Sequence, residues 1–336
     1  MKKLFVLLLT FTYLVTVNLR AQSTSTNRIK LEPGVHCDVV SRVVTNLAAP
    51  LDGRRIFLLH GLASTSEVFD NLIAAIQAGP DGNSIRLFIV IDLPGHGKSG
   101  LPSGNINVRF GDLDIYDDVA AVAGVLDNYK KLGISPSEIV AHSMAGLVIQ
   151  VLQDALLANG QSLKKTYGVT KVTLIGSSSP SEVLDPLLEA QIGLALLSSF
   201  TTNNAVLGTY ALIDAGSFQS LFFLDRTFTT IPSAPSVEEV QAGGYYSNES
   251  YAAALQTVGT ADMRPSVHSG IFAPSNGTTI LVLVGEQDFF SDIDSEKALC
   301  KHLAGFVNDT NFATILGDDQ VHDGFIPNPG PLATFF

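Results

Sequence analysis

The residues with the clearest chemical purpose lie around Ser143, in the run Ala141-His142-Ser143-Met144-Ala145-Gly146. An apolar strand pattern ends there and an apolar helical pattern begins. A nucleophile on such a turn projects its hydroxyl above the sheet, while the N–H groups that open the helix face developing negative charge. The turn calls for small residues two before and two after the serine. Ala141 and Ala145 stand where the usual G-x-S-x-G pattern has glycine, so the positions stay small but more crowded. By itself, a serine that begins a helix is more often an N-cap than a nucleophile. Upstream, His60-Gly61-Leu62 follows another apolar strand pattern. Acyl transfer creates a tetrahedral oxyanion that two preorganised N–H groups stabilise, and the backbones of Leu62 and Met144 are assigned to that task. His60 reads as structural. A third strand-end turn, Asp92-Leu93-Pro94-Gly95-His96-Gly97-Lys98-Ser99, lies between the two.

These turns need elements to hold them. Arg55–His60, Arg86–Ile91, Glu138–His142, Lys171–Ile175 and Thr279–Val284 are near-continuous apolar runs bounded by turn residues. Runs without polar alternation are what strands covered on both faces look like in a parallel sheet. Helical patterns occupy Val68–Ala78, Asp112–Leu132 and Met144–Ala158, the last stopped by Asn159-Gly160. Repeated strand–helix units of this kind predict a doubly wound α/β sheet with helices on both faces. Ile29–Val44 reads as an edge hairpin. From about Ser181 to Arg264 the rhythm breaks into apolar, mainly helical sequence with no convincing strand, including Phe200, Leu207, Phe218, Leu221, Phe222 and Phe223. Its position between two strands predicts a helical insertion over one edge of the sheet. The expected division is a leader over 1–21, a core over 22–180 and 265–336, and a cap over 181–264.

Composition narrows the function classes. Met1–Ala21 opens with Lys2 and Lys3, continues through an apolar run and ends at Ala21, the layout of a secretory signal. The run is short for a membrane span, which needs roughly 20 residues. Cleavage after Ala21 leaves no stable membrane anchor and places the chain outside the cytoplasm, secreted or periplasmic. Formal charge is −12. Such a surface repels phosphate backbones and anionic lipid, which makes nucleic acid a poor partner. Cys37 and Cys300 are the only cysteines, so disulfides do not build the scaffold; they pair or stay as two thiols. Seven histidines include no His-x-x-x-His or His-Glu-x-x-His spacing, so no metal is expected. Asn248, Asn276 and Asn308 each open a three-residue match to the glycosylation sequon, a short pattern that is common by chance.

A strand followed by His60-Gly61, then Asp92-Leu93-Pro94-Gly95-His96-Gly97-Lys98-Ser99, then Ala141-His142-Ser143-Met144-Ala145-Gly146 resembles the α/β-hydrolase superfamily, nearest its capped esterase, lactonase and carbon–carbon hydrolase group. The resemblance runs from about Arg55 to His322, and the 181–264 insertion sits where that group carries its cap. It implies an α/β-hydrolase fold and the chain order nucleophile, acid, histidine. The acid then falls at Asp288, in Gly285-Glu286-Gln287-Asp288, with Asp292 and Asp294 nearby and the alternative that an aspartate there only caps the next helix. The histidine falls at His322, after the strand pattern Phe312–Leu316; His302 lies in a helical pattern and reads as structural. The tail beyond His322 is short and rich in Pro and Gly, so the final helix is expected to be abbreviated.

Such a set has a defined chemistry. A neutral imidazole takes the serine proton during attack, a carboxylate fixes its tautomer and stabilises the imidazolium, and water then cleaves the acyl-enzyme. No cofactor enters. The resemblance, with the apolar insertion, points to an ester or lactone with a hydrophobic acyl part. Carbon–carbon or amide hydrolysis, acyl transfer and cofactor-free peroxidase chemistry use the same three groups. A non-catalytic ligand-binding protein on this fold is the alternative of another class. A serine at 143 speaks against the haloalkane dehalogenases and epoxide hydrolases, which have aspartate there. Oligomeric state is not readable from the sequence.

Overall fold

The computed structural model describes residues 22–30, 38–62, 64–94, 96–99, 115–177, 223, 225–227, 229–236, 239, 267–288 and 290–336. The leader, Cys37 and most of the expected cap lie outside the described residues.

Eight strands form one sheet: β1 (Gln22–Ile29), β2 (Val39–Asn46), β3 (Arg54–Leu59), β4 (Ile85–Ile91), β5 (Glu138–His142), β6 (Lys171–Ile175), β7 (Thr279–Gly285) and β8 (Phe312–Ile315). Their order is β1-β2-β4-β3-β5-β6-β7-β8. The strands from β4 to β8 in that order run parallel, and β1 and β2 are antiparallel additions at one edge. The helices are α1 (Asp70–Ala78), α2 (Ile115–Lys131), α3 (Met144–Ala158), α4 (Leu163–Tyr167), α5 (Ile293–Ala304) and α6 (Gly330–Ala333). The expected hairpin is longer than its apolar signal: its strands are 22–29 and 39–46, because the outer strand is polar and exposed except at Ile29. The final helix is abbreviated to four residues, yet Leu332 and Phe336 are buried and Arg54 donates to the Phe336 carbonyl at 2.6 Å.

Side-chain alternation divides the apolar strands between two cores. Phe57, Leu59, Ile139, Ala141, Val172 and Leu174 face α2, α3 and α5. Ile56, Leu58, Val140, Ile175, Leu281 and Leu283 face α1 and the tail. Ile56, Phe57, Leu58 and Leu59 are all fully buried, as expected for a strand covered on both sides.

The loops at the C-terminal strand ends are pinned by buried histidines. His60 Nε2 accepts the Leu93 N–H at 3.0 Å. The ring proton therefore sits on Nδ1, which donates to the Gly61 carbonyl at 2.7 Å. His96 Nδ1 donates to the Pro94 carbonyl at 2.8 Å, and its ring lies 5.1 Å from that of His60. Asp92 accepts the Ser66 N–H at 2.7 Å and the Lys98 N–H at 2.8 Å. Gly97, with φ +51, leaves room for that carboxylate; a Cβ there would lie 2.5 Å from Asp92 Cγ.

Burial disfavours the charged imidazoles. It pushes His60 down to about 4, with partial compensation from the Gly61 carbonyl, and His96 down to about 3, assisted by the nearby His60. His142 is likewise held well below its ordinary value by burial and by His322. All three are neutral when folded but take up protons near pH 6.5 when unfolded. Their contribution to stability is therefore complete above pH 6.5 and is lost as pH falls toward about 4. Urea unfolding followed from pH 7 to pH 4.5 is expected to show stability falling by roughly 4 kcal/mol per pH unit near pH 5, the slope for uptake of nearly three protons. A slope below that of one proton would show that these rings are not held neutral.

Candidate active site

Ser143 joins β5 to α3 with φ 52 and ψ −126, the only positive φ outside glycine among the described residues. A non-glycine residue held there costs on the order of 1–3 kcal/mol. The turn is fixed by the Ser143 N–H, which donates to the Ile175 carbonyl at 2.9 Å, and by the Gly146 N–H, which donates to the Ser143 carbonyl at 2.9 Å. The Ser143 side chain makes no cap bond to the helix it begins. Its Oγ lies instead 3.0 Å from His322 Nε2. The expected choice between cap and projecting hydroxyl is thus decided by backbone conformation.

His322 Nδ1 lies 3.0 Å from Asp288 Oδ2. The other carboxylate oxygen of Asp288 accepts the Phe290 N–H at 2.9 Å and the Ser291 N–H at 3.0 Å. Asp292 does the capping that was the alternative role for an aspartate here, accepting the Asp294 and Ser295 N–H groups at the start of α5. Asp288 and His322 are both buried. Burial opposes the His322 cation, but the charge and hydrogen bond of Asp288, with the charge of Asp323, outweigh it and raise the imidazole above its ordinary value. Their loops are joined by the Gln287 N–H, which donates to the Gln320 carbonyl at 3.0 Å.

Met144 supplies the first N–H of α3, and Leu62 lies partly exposed between the two cores. Gly61 presses against the serine: a Cβ there would lie 2.7 Å from Ser143 Cβ. Because the Gly61–Leu62 peptide is trans, the hydrogen bond of the Gly61 carbonyl to His60 turns the Leu62 N–H away from that ring. Ala141 and Ala145 are accommodated with no exposed surface. The demand for glycine falls one residue later, at Gly146, where a Cβ would lie 2.0 Å from Ser177 Oγ.

Several neighbours were not singled out in the sequence. Gly176, with φ +50, lies beneath the Asp288–His322 contact; a Cβ there would be 2.9 Å from Asp288 Oδ2 and 3.3 Å from His322 Nδ1. Phe290 lies with its ring 5.2 Å from that of His322. His142 and Asp323 adjoin the histidine, and with it bring one nitrogen or oxygen each within 4.8 Å of one another. That spacing could suit a cation. Both ring nitrogens of His322 already face Asp288 and Ser143, however, so a metal there would have to displace one of them. Cys300 is a free, buried thiol, its pKa pushed up to about 11 by burial and by Glu296.

Comparison with known proteins agrees with this architecture. The family model described as "Alpha/beta hydrolase family" matches residues 56–317. No match is found among curated proteins. Among solved structures, an enol-lactonase from Burkholderia xenovorans is 18% identical, with a TM-score of 0.58 over 89% of this chain and 95% of its own. A carboxylesterase from Bacillus subtilis is 14% identical, with a TM-score of 0.59 over 98% and 95%. The 2-hydroxy-6-oxo-6-phenylhexa-2,4-dienoate hydrolase of a Rhodococcus species is 18% identical, with a TM-score of 0.58 over 94% and 98%. At such identities the structures speak for the fold alone. The family match covers well over half of the sequence, and the chain belongs to the alpha/beta hydrolase family.

Proposed function

We propose that this protein is a serine hydrolase that cleaves a carboxylic ester or lactone with a hydrophobic acyl part through an acyl-enzyme on Ser143. The observation that carries the reading is the chain of contacts from Ser143 Oγ to His322 Nε2 and from His322 Nδ1 to Asp288, each 3.0 Å, on a serine whose backbone keeps it from capping its helix. Asp288 accepts from Nδ1–H, which leaves the Nε2 lone pair for the serine proton. As Oγ bonds to the substrate carbonyl carbon, that proton passes to His322 and the carbonyl electrons move onto oxygen. The N–H groups of Leu62 and Met144 receive the oxyanion. When the carbonyl reforms, the alcohol leaves with the proton from His322. Water then attacks the acyl-enzyme with the same imidazole as base, releasing the acid and restoring Ser143.

Apolar side chains near the serine, Leu62, Met144 and Phe290, support a substrate with a hydrophobic acyl part, as does the apolar composition of 181–264. The names of the lactonase and carboxylesterase neighbours agree with the reaction class. Export directed by residues 1–21 belongs to the same proposal and rests on their composition.

The test is labelling of the mature chain with a fluorophosphonate probe beside turnover of p-nitrophenyl esters of increasing chain length. Ser143→Ala is expected to abolish labelling and to lower kcat by at least about 10³-fold. A folded wild-type chain that takes no label and cleaves no ester would mean a binding protein on this fold. Asp288→Asn is expected to cost about 10²-fold or more in kcat, through loss of the correct tautomer. Gly61→Ala, which must push against Ser143, should lower kcat about tenfold or more with a smaller change in stability. Activity needs neutral His322, so kcat/KM should rise with pH through a midpoint above roughly 6.5. A midpoint below that value would contradict the electrostatics of the site.

A further inference from the structure

One buried pair of ionisable side chains, His142 and Asp323, lies against the three groups without belonging to them. His142 ends β5 two residues after Val140 and so shares its sheet face, where Phe325 and Ile326 pack. Its Nε2 is 3.1 Å from the carbonyl oxygen of His322. A carbonyl only accepts, so this nitrogen carries the proton. The same Nε2 lies 3.5 Å from Asp323 Oδ1. The ring stands 4.9 Å from the His322 ring and 5.0 Å from Phe325, the latter edge-on at 72°. A Cβ at Gly61 would lie 3.3 Å from His142 Nδ1. His142 is thus enclosed by the loop of the general base, by a second carboxylate and by the loop of the expected oxyanion donor.

Asp323 has little freedom to leave. It is buried, its carbonyl accepts the Ile326 N–H at 3.0 Å, and the turn closes through the Gly324 N–H to the Val321 carbonyl at 3.1 Å. Gly324 is packed so closely that a Cβ would lie 2.0 Å from the Asp319 carbonyl oxygen. The titratable groups facing the His322 ring are Asp288 from the end of β7, His142 and Ser143 from the end of β5, and Asp323 from its own turn.

We propose that His142 and Asp323 are positioning residues: His142 ties the His322 backbone to the strand end that carries Ser143, and Asp323 places a second negative charge beside the His322 ring. The inference rests on the serine-hydrolase reading for its kinetic consequence but not for its electrostatic one. His142 keeps the distance between base and nucleophile from drifting, since its donor is fixed one residue before Ser143 and its acceptor belongs to His322 itself. Its neutral state spares the imidazolium formed during attack a like charge less than 5 Å away. Asp323 then favours that imidazolium together with Asp288.

The experiment is an NMR titration of the histidine rings in the full chain, with kcat and KM measured across pH in parallel. Wild type is compared with Asp323→Asn, His142→Phe and His142→Gln. Asp323→Asn, nearly isosteric, is expected to lower the His322 midpoint, and the acid limb of kcat/KM with it, by about half a pH unit or more. His142→Phe removes the donor and should cut kcat about tenfold with KM within about twofold. His142→Gln returns an N–H near the place of Nε2 and should recover most of that loss. A His322 midpoint that stays or rises in Asp323→Asn overturns the role of Asp323. A kcat for His142→Phe close to wild type, or equal losses in His142→Phe and His142→Gln, overturns that of His142. If His142→Phe does not fold, a His142→Gln chain that loses kcat about tenfold despite its restored N–H overturns the role of His142, and one close to wild type supports it. A wild-type chain that takes no fluorophosphonate label marks failure of the hydrolase reading instead, and the ring titration still decides the effect of Asp323.

Discussion

A hydroxyl passes its proton to an imidazole only at hydrogen-bond distance, yet Ser143 and His322 are 179 residues apart in sequence, and His322 and Asp288 are 34 apart. Bringing three loops together to 3.0 Å contacts is the constraint on which the rest of the structure depends. A parallel sheet meets it because all its strands release their chains at the same edge. β5 delivers Ser143, β7 delivers Asp288, β8 precedes His322, and β3 delivers Gly61 and Leu62. Between β5 and β7 lies β6, whose Ile175 carbonyl holds the Ser143 amide while Gly176 leaves space for the Asp288–His322 contact. The two buried cores keep those strand ends in register.

The edge that carries this chemistry is full of imidazole, and the rings divide by environment. His60, His96 and His142 lie where burial outweighs every favourable contact, so they act as fixed hydrogen-bonding groups with one tautomer each. His322 is as buried as they are, but two carboxylates face it and the balance reverses. Only that ring is arranged to gain a proton cheaply. The neutral rings leave it so, because any additional cation in this space would disfavour a proton on His322.

Much of this was legible in the sequence because its signals are local. The runs at 138–142 and 171–175 are strands to the residue, and Met144–Ala158 is a helix to the residue, since a buried element is written as apolar side chains bounded by turn residues. The positions of Ser143, Asp288 and His322 followed from strand ends taken with a family resemblance. The outer strand Gln22–Ile29 was legible only at its last residue, because it is held by backbone pairing to β2 and its side chains are exposed. His142 and Asp323 were beyond reach for another reason. Their significance lies in a bond from one residue to the backbone of another 180 positions away, and side-chain identity carries no trace of such a bond.

The glycines show how much nevertheless remains to be read from local sequence when sterics are added to pattern. Gly61 and Gly176 each follow within two residues of an apolar strand, and Gly285 is the last residue of one. A Cβ at Gly61 would strike Ser143, at Gly176 the Asp288 carboxylate, and at Gly285 the Gln320 carbonyl, 2.1 Å away, in the loop that leads to His322. Two of these have no need of a positive φ; what they need is the absence of a side chain. The nucleophile turn itself was expected to need small residues at 141 and 145, where alanine suffices, while the closest approach falls at Gly146 against Ser177. The requirement set by the turn is thus for a nearby surface without side chains, and the partner loops supply it as much as the turn does. At these three strand ends the absent side chain leaves room for a neighbouring loop or side chain.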